Sequence, residues 1–578
     1  MLTRHFPSSQ KRRKDAAKGP LPTAMAATHM KFRDLLEQHP HWRRLCLLLS
    51  GALMCLTLIF PVIGFLEWIA MIPAACVLLS MARDTTVRYR RLYLYGFLYF
   101  MGFFLTAFHW FLALYPLDFI DGISKGDAVL IVMVAWIGVS LLQAVVAAWI
   151  PVLLALFARR GLGCRVPTLI PWAGAALFTI GEWVQTLTWA GVPWARLAIG
   201  QTSSPAMIQT ASLFGSYFIT FLLTAVNFLF AFALLSDTPM RRKIFALIGA
   251  GLIACNAFAG AILLIANPAM SDKGKKYTAA AIQPNISSHE KWGVESVRIS
   301  MERLEKYSLA AAEQGAKLIV WSETAFASDV LDDESLCQFI SDLAVRCKAT
   351  IVVGAFSQGE KLDRNSLLFV NPDGSFRSEI YSKRHLVPFG EYVPWRAFFS
   401  AVIPQLTEIA MLEEDLEPGT DSALAYTEAG VLGGLICFDS IYETLSLDSA
   451  RDGAEVMILS TNDSWFLDSA AVYMHNCQAK LRAVETGKYL VRSANTGISS
   501  IIDANGRLLA MKEPLVEGYI TAEICPKTGQ TLYTKIGNTA VYLMIAFCLL
   551  LGLSSVFHKT VNRWMDNIPK AMKNTKTT

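Results

Sequence analysis

Six stretches of this 578-residue chain are long enough to cross a bilayer and contain no Asp, Glu, Lys or Arg: residues 45–66, 92–117, 128–158, 207–236, 244–271 and 536–557. A helical span needs about 20 mostly apolar residues. A charge at its centre costs about 2.5–3.5 kcal/mol on insertion scales. Six charge-free windows are therefore incompatible with an ordinary soluble core. Two weaker windows join them: 68–82, preceded by Glu67, and 166–195, interrupted by Glu182. The expected membrane part has about eight helices, seven before a polar stretch at 272–535 and one after it. Only 17% of the chain is charged, against about a quarter in soluble proteins, and the deficit falls in these windows.

The loops set the expected orientation. Basic clusters lie at Lys11–Lys14 and Arg43-Arg44, at Arg83, Arg88, Arg90 and Arg91, at Arg159, Arg160 and Arg165, and at Arg241, Arg242 and Lys243. Another follows the last window (Lys559, Arg563, Lys570, Lys573, Lys576). Basic loops stay cytoplasmic. With eight spans every cluster falls on one side and the polar domain on the other. The net charge of +5 then reports topology and gives no reason to invoke nucleic acid. The expected division is a basic cytoplasmic tail at 1–44, seven spans in 45–271, an extracytoplasmic domain at 272–535, an eighth span at 536–557 and a second basic tail at 558–578. No cleavable signal peptide is evident, because the basic head is long and no short apolar core with a small-residue site follows it. Trp110, Tyr115, Trp189 and Trp194 fit interfacial belts. Glu182 is expected to face the bundle interior or an aqueous notch.

Within 272–535, short apolar runs alternate with helical patterns. Strands are expected at 278–284, 317–321, 350–356, 366–371, 379–383, 432–438, 456–461, 490–493, 499–503 and 518–523. Helices are expected at 297–314, 334–346, 443–452 and 469–486. Such alternation indicates an α/β layered domain. Of eleven cysteines, five fall here (Cys337, Cys347, Cys437, Cys477, Cys525), with no CxxC and no zinc-like spacing. An odd number leaves at least one thiol unpaired within the domain, and a free thiol in an oxidising compartment needs burial or a use. The sequence does not decide whether Cys337 and Cys347 pair.

Three segments place a reactive side chain at the end of an apolar strand: Leu318–Glu323, Tyr381–Pro394 around Lys383, and Gly433–Asp439 around Cys437. A thiol at a strand-to-helix junction is expected to have a lowered pKa from the helix N-terminus. A carboxylate such as Glu323 can take its proton, and an ammonium such as Lys383 can face a developing oxyanion. Taken alone, each has a plainer reading; the cysteine is core packing and the glutamate a cap or a surface charge.

In that order and with those flanks, the three segments resemble the nitrilase superfamily, which implies a four-layer α-β-β-α sandwich and a Glu–Lys–Cys triad. Together with the spans they resemble the apolipoprotein N-acyltransferases. Supporting matches are Gln283-Pro284-Asn285-Ile286 with Lys291-Trp292, Ser460–Phe466 including Asn462 and Asp463, and His475, Gln478, Arg482, Glu485 and Arg492–Gly497. Two departures stand out: Ser322 where Pro is usual, and Phe438-Asp439 where Tyr-Glu is usual.

The resemblance implies a membrane enzyme of the bacterial inner membrane, monomeric, needing no cofactor or metal. It would move a fatty acyl chain from a glycerophospholipid of the bilayer to the α-amine of a diacylglyceryl-cysteine apolipoprotein, through a thioester on Cys437. Glu323 would be the base, with Lys383 and the Phe438 N–H as oxyanion donors. Glu391 would position Lys383 or stabilise the intermediate, Trp292 would sit on a loop over the site, and Asp439 and Asn462 would support it. Apolar residues at 398–411 would reach the membrane. Arg482 reads as structural. The rival readings are a membrane-tethered nitrilase-type amidase acting on a small amide, and a transporter or sensor carrying an inactive domain. Eight spans argue against the first and the intact triad against the second.

Overall fold

The computed structural model describes residues 40–117, 123–269, 275–287, 295–402 and 414–560. Lys291-Trp292 and most of the apolar segment 398–411 lie outside them.

Seven helical stretches among the described residues are long and apolar enough to cross a membrane. They are built from α1 (Pro40–Ile59), α2 (Ile72–Arg83) with the turns that precede it, α3 (Tyr89–Ala107), α4 (Lys125–Ala147) running into α5 (Ile150–Arg159), α7 (Ser216–Leu234), α8 (Pro239–Ala266) and α13 (Thr539–Val556). The eighth expected span, 166–195, holds only the 15-residue α6 (Ile170–Val184), about 22 Å of helix at 1.5 Å per residue. The chain still traverses the bundle there. Ser555 and Ser554 of α13 bond to Arg160 and Leu162 at one end, whereas Arg196 bonds to Glu443 of the polar domain at the other. The short helix is completed by an irregular segment rather than by further turns. Glu182 near its end is buried, accepting from the Leu197 N–H (2.9 Å) and the Thr220 hydroxyl (2.8 Å), as its place in the bundle interior requires.

The window 207–236 is also corrected. Gly215, at φ +80°, breaks it, and only α7 is spanning helix. Residues 205–214 form two short helices, and the neighbouring Gln209 and Ser216 bond to the polar domain. Small residues let the spans approach closely. A Cβ on Gly102 of α3 would lie 2.0 Å from the Leu48 carbonyl oxygen of α1.

The polar domain has two six-stranded mixed sheets. The first runs β12-β1-β2-β3-β4-β5 and the second β11-β10-β9-β8-β7-β6. The strands are β1 (Tyr277–Gln283), β2 (Ala316–Val320), β3 (Thr350–Ser357), β4 (Arg364–Val370), β5 (Tyr381–Ser382), β6 (Ala425–Thr427), β7 (Gly430–Ile436), β8 (Val456–Thr461), β9 (Tyr489–Ala494), β10 (Ser499–Ile502), β11 (Leu508–Lys512) and β12 (Gly518–Ile524). Each sheet has a parallel trio at its centre, β1-β2-β3 or β7-β8-β9, flanked by antiparallel strands. Alternate side chains explain the layering. Ala279, Ala281, Leu318, Val320 and Val352 meet Leu432, Ile436, Val456, Ile458 and Val491 between the sheets. Ala280, Ile282, Ile319, Trp321 and Ile351 point outward onto α9 (Ser296–Glu313) and α10 (Glu334–Cys347). The helices α11 (Glu443–Asp452) and α12 (Ala470–Thr486) cover the second sheet. This is the α-β-β-α sandwich that the resemblance implied.

The short edge strands β6 and β11 are absent from the sequence reading; β11 is mostly exposed and shows no clean apolar alternation. The five cysteines of the domain are all thiols, so Cys337 and Cys347 are not joined.

The layer α11–α12 rests on the bundle. Arg196 donates to Glu443 (2.9 Å), to the Ser216 and Tyr217 hydroxyls and to the Ile441 carbonyl. Asn538, just before α13, donates to the other oxygen of Glu443. Burial works to raise the Glu443 carboxyl, but Arg196 and Arg482 outweigh it and hold it below its ordinary value. Arg482, fully buried, pairs with Glu485 at 2.9 Å, in keeping with a structural role.

Candidate active site

The site forms where strands β2, β5 and β7 end. After β2 the chain continues through Trp321, whose carbonyl accepts the Ser460 hydroxyl of the facing sheet (2.8 Å), and turns at Thr324 with φ +43°. That turn presents Glu323. Gly354 on β3 lies beneath it; a Cβ there would be 2.3 Å from the Ser322 carbonyl oxygen and 2.9 Å from the Glu323 Cα. Only glycine lets the two segments approach so closely.

Lys383 follows β5, and its backbone N–H donates to the Asn365 carbonyl of β4 (2.8 Å). Its Nζ lies 3.0 Å from Glu323 Oε1 and 2.9 Å from Glu391 Oε1. Asn365 Nδ2 donates to the same two oxygens, at 2.8 and 3.0 Å. The Asn462 backbone N–H, just past β8, gives Glu323 Oε2 a third donor at 2.7 Å. Glu391 Oε2 accepts the Val387 N–H (2.8 Å), closing the lysine loop on itself. Burial works to push the Lys383 ammonium down, but Glu323 and Glu391 outweigh it and hold it well above its ordinary value.

Cys437 directly follows β7 and opens a five-residue turn, Cys437–Ile441, with φ +44°. A non-glycine residue in this region stores about 1–3 kcal/mol of strain, and its surroundings must hold it there. They do so on both sides. Asp439 Oδ2 accepts the Ile436 N–H (3.1 Å) and the Tyr381 hydroxyl (2.8 Å), and Oδ1 accepts the N–H groups of Arg384 and His385 (3.2 and 2.8 Å). On the far side, the Cys437 carbonyl accepts from Ser440 Oγ (2.8 Å) and lies 3.2 Å from His475 Nε2. Asp439 is buried, which pushes its carboxyl up to about 6, although His385, the Lys383 charge, Tyr381 and Ile436 all work to lower it. Its carboxylate, on a shorter arm than a Glu would offer, ties the Cys437 turn to the lysine loop. The Phe438 ring packs edge-on to Tyr442 at 5.5 Å, and Tyr442 meets the His385 ring at 3.9 Å.

The expected lowering of the thiol pKa is corrected. The turn is too short to supply a helix dipole, and burial pushes the thiol up; the nearby Glu323 adds to this and Lys383 only partly offsets it. Burial and the neighbouring Glu323 thus disfavour the thiolate at this position.

The structure thus gathers Glu323, Lys383, Glu391, Asp439 and Asn462 around Cys437 and Phe438. Asn462 takes part through its backbone, while its side-chain oxygen accepts from Asn495 (3.0 Å). Trp292 lies outside the described residues. Asn365 was not legible in the sequence: it is one of several polar residues on an ordinary strand, and only the pairing of β4 with β3 and β5 brings it between two carboxylates. Trp110 and Trp194, expected in an interfacial belt, are instead buried. They pack 5.3 Å from each other and 4.9 and 5.6 Å from Phe466 of the polar domain. Trp189 reaches the lysine loop, 6.3 Å from Phe389 and 5.3 Å from Trp395. Aromatic side chains of the bundle therefore border the loops that carry the site.

Comparison with known proteins gives the same two parts. A carbon-nitrogen hydrolase profile matches residues 278–533, and the profile of the apolipoprotein N-acyltransferase N-terminal domain matches residues 50–229. The chain is 30% identical to the apolipoprotein N-acyltransferase of Geobacter metallireducens, covering 89% of this chain and 95% of the relative. It is 28% identical to that of Gloeobacter violaceus over 84% of this chain and 89% of the relative. Similar solved structures include a Saccharomyces cerevisiae member of the nitrilase superfamily (21% identity, 46% of this chain and 95% of that one, TM-score 0.35). Another is an amidase from Nesterenkonia sp. (16% identity, 47% and 97%, TM-score 0.36).

Proposed function

This chain belongs to the apolipoprotein N-acyltransferase family, and from that premise we propose how its residues carry the acyl group from a membrane phospholipid to a lipoprotein N-terminus. The protein is a membrane acyltransferase that N-acylates lipoproteins. The observation that carries the residue-level reading is the buried Lys383 ammonium bonded at about equal distance to Glu323 and Glu391, beside the Cys437 side chain.

In the first half-reaction Glu323 accepts the Cys437 S–H proton, and the sulfur attacks the sn-1 ester carbonyl of a glycerophospholipid. The carbonyl oxygen becomes an oxyanion facing the Lys383 ammonium and the Phe438 N–H. One such donor is worth about 2.7–4 kcal/mol. The C–O bond then breaks; the lysophospholipid alkoxide takes the proton back from Glu323, and a thioester remains on Cys437. In the second half the α-amine of a diacylglyceryl-cysteine attacks the thioester and gives a proton to Glu323. The C–S bond breaks and the sulfur recovers that proton. The result is an amide and a restored thiol, with ping-pong kinetics. Glu391 and Asn365 hold Lys383 and Glu323 in register, and Asp439 holds the nucleophile's turn.

The bundle aromatics beside the lysine loop, with exposed Trp395, Phe398 and Leu187, suit a lipid-facing entry. The basic ends of α2, α5 and α13 gather opposite the polar domain. Under the positive-inside rule this supports a catalytic domain on the periplasmic side of the inner membrane.

The test is intact-mass analysis of the purified enzyme with phosphatidylethanolamine, for wild type and Cys437→Ala. A fatty-acyl mass on wild type alone, discharged by a diacylglyceryl-cysteine peptide as N-acylated product, is expected. A folded wild type that gains no adduct and turns over no lipid sinks this reading and favours a small-amide hydrolase.

A further inference from the structure

The carbonyl of Cys437 is the meeting point of a second buried polar cluster. His475, on α12, places Nε2 2.8 Å from Ser440 Oγ and 3.2 Å from the Cys437 carbonyl oxygen. Its Nδ1 lies 3.1 Å from Asp463 Oδ1 and 3.1 Å from Arg492 Nη2. Arg492 Nη2 also donates to Asp463 Oδ2 at 2.6 Å. The connectivity Ser440–His475–Asp463 matches that of a hydrolase triad, but all three side chains are fully buried. No substrate reaches that hydroxyl, so the cluster is not a second nucleophilic centre.

Hydrogen-bond accounting assigns the protons. The Ser440 hydroxyl gives its one proton to the Cys437 carbonyl, so the short contact from Nε2 to Ser440 Oγ requires an N–H on Nε2. Asp463 is supplied by Arg492 and by the Thr461 hydroxyl (3.0 Å). His475 therefore directs one N–H at the Ser440 oxygen and the Cys437 carbonyl together. The Trp194 ring of the bundle, 5.3 Å away, packs beside it.

We propose that His475 is a positioning residue that holds the Cys437 carbonyl, and with it the left-handed backbone of the nucleophile, at the angle from which the thiol reaches the acyl carbonyl. The inference rests on the thioester reading above. It predicts that the donor at the Nε2 position matters and the rest of the ring does not. A glutamine amide can place a donor where Nε2 sits, whereas an asparagine amide reaches only the Nδ1 position.

The experiment is single-turnover acylation of the full-length enzyme by phosphatidylethanolamine vesicles, read as adduct mass against time for wild type, His475→Ala, His475→Asn and His475→Gln. Ala and Asn are expected to slow acylation by about tenfold to a hundredfold, the cost of a misplaced reacting atom, with the half-saturating lipid concentration unchanged. Gln is expected to recover most of the rate. Equal rates for Gln and Asn, or a wild-type rate in Ala, overturn the proposal; should Ala fail to fold, the Gln–Asn pair decides. A wild type that forms no adduct refutes the thioester itself, whereas a normal wild-type adduct with unaffected variants removes only the role of His475.

Discussion

Replacing Asp463 by Asn tests the electrostatics behind the nucleophile through its pH dependence. Asp463 is fully buried, 2.6 Å from Arg492 and 3.1 Å from His475. Burial works to raise its carboxyl, but Arg492 and His475 outweigh it and hold it at about 2, against an ordinary 3.8. Asp463→Asn leaves Arg492 buried without its counter-ion, a loss of about 3–5 kcal/mol near neutral pH. Part of that loss is tied to titration. A carboxylate held below its ordinary value contributes stability that is fully present above that value and is lost as pH falls through the folded one. That depression corresponds to about 2 kcal/mol. Integrating the linkage relation, about 1 kcal/mol of it is gone at pH 3. The gap between wild type and Asp463→Asn should therefore narrow by that amount from pH 7 to pH 3. Making the comparison in a His475→Gln background removes the titrating neighbour whose charge Asp463 favours, and the more distant acidic residues cancel. The assay is denaturant unfolding in detergent micelles at pH 7, 4 and 3, followed by tryptophan fluorescence. A gap that is the same at pH 3 as at pH 7, or wider, refutes the assignment of a charged Asp463–Arg492 pair.

Three further outcomes are expected. Glu391→Gln removes one of the two charges on Lys383 while keeping an acceptor for the Val387 N–H; acyl-enzyme formation should fall by about a hundredfold, within the range for losing an oriented oxyanion donor, and a rate near wild type in stopped time courses would contradict the role given to Glu391. Gly354→Ala forces a Cβ against the Ser322 carbonyl and should lower the acylation rate more than it changes lipid affinity, as steady-state kcat and KM would show. Arg196→Met strips the buried Glu443 of its closest partner and should destabilise the protein by about 3–5 kcal/mol; adding Glu443→Leu should restore much of this in thermal melts, and a double variant no better than the single would show that the ion pair is not what the site loses.

The architecture was largely legible because it rests on local pattern. Charge-free windows identify spans since no folded context makes a mid-membrane charge cheap. The central strands β1, β2, β7 and β8 read as unbroken apolar runs because both their faces are covered. Glu323, Lys383 and Cys437 could be singled out because each ends such a strand within a recognisable segment. Three things depended on the tertiary structure. The span at 166–195 looked like one helix by composition, but α6 stops after 15 residues and irregular chain completes the crossing to Arg196. The thiol at a strand-to-helix junction suggested a lowered pKa, and only the packing around Cys437 shows that desolvation wins. Asn365, the His475–Arg492–Asp463 cluster and the Arg196–Glu443 tether join residues 12 to 247 positions apart that sheet pairing and helix docking bring together. The sequence by itself determines which segments must be buried, because burial follows from each residue's transfer energy; which buried polar atoms meet is decided by sheet order and helix docking, since hydrogen bonds and ion pairs act over about 3 Å and no one-dimensional spacing encodes that distance.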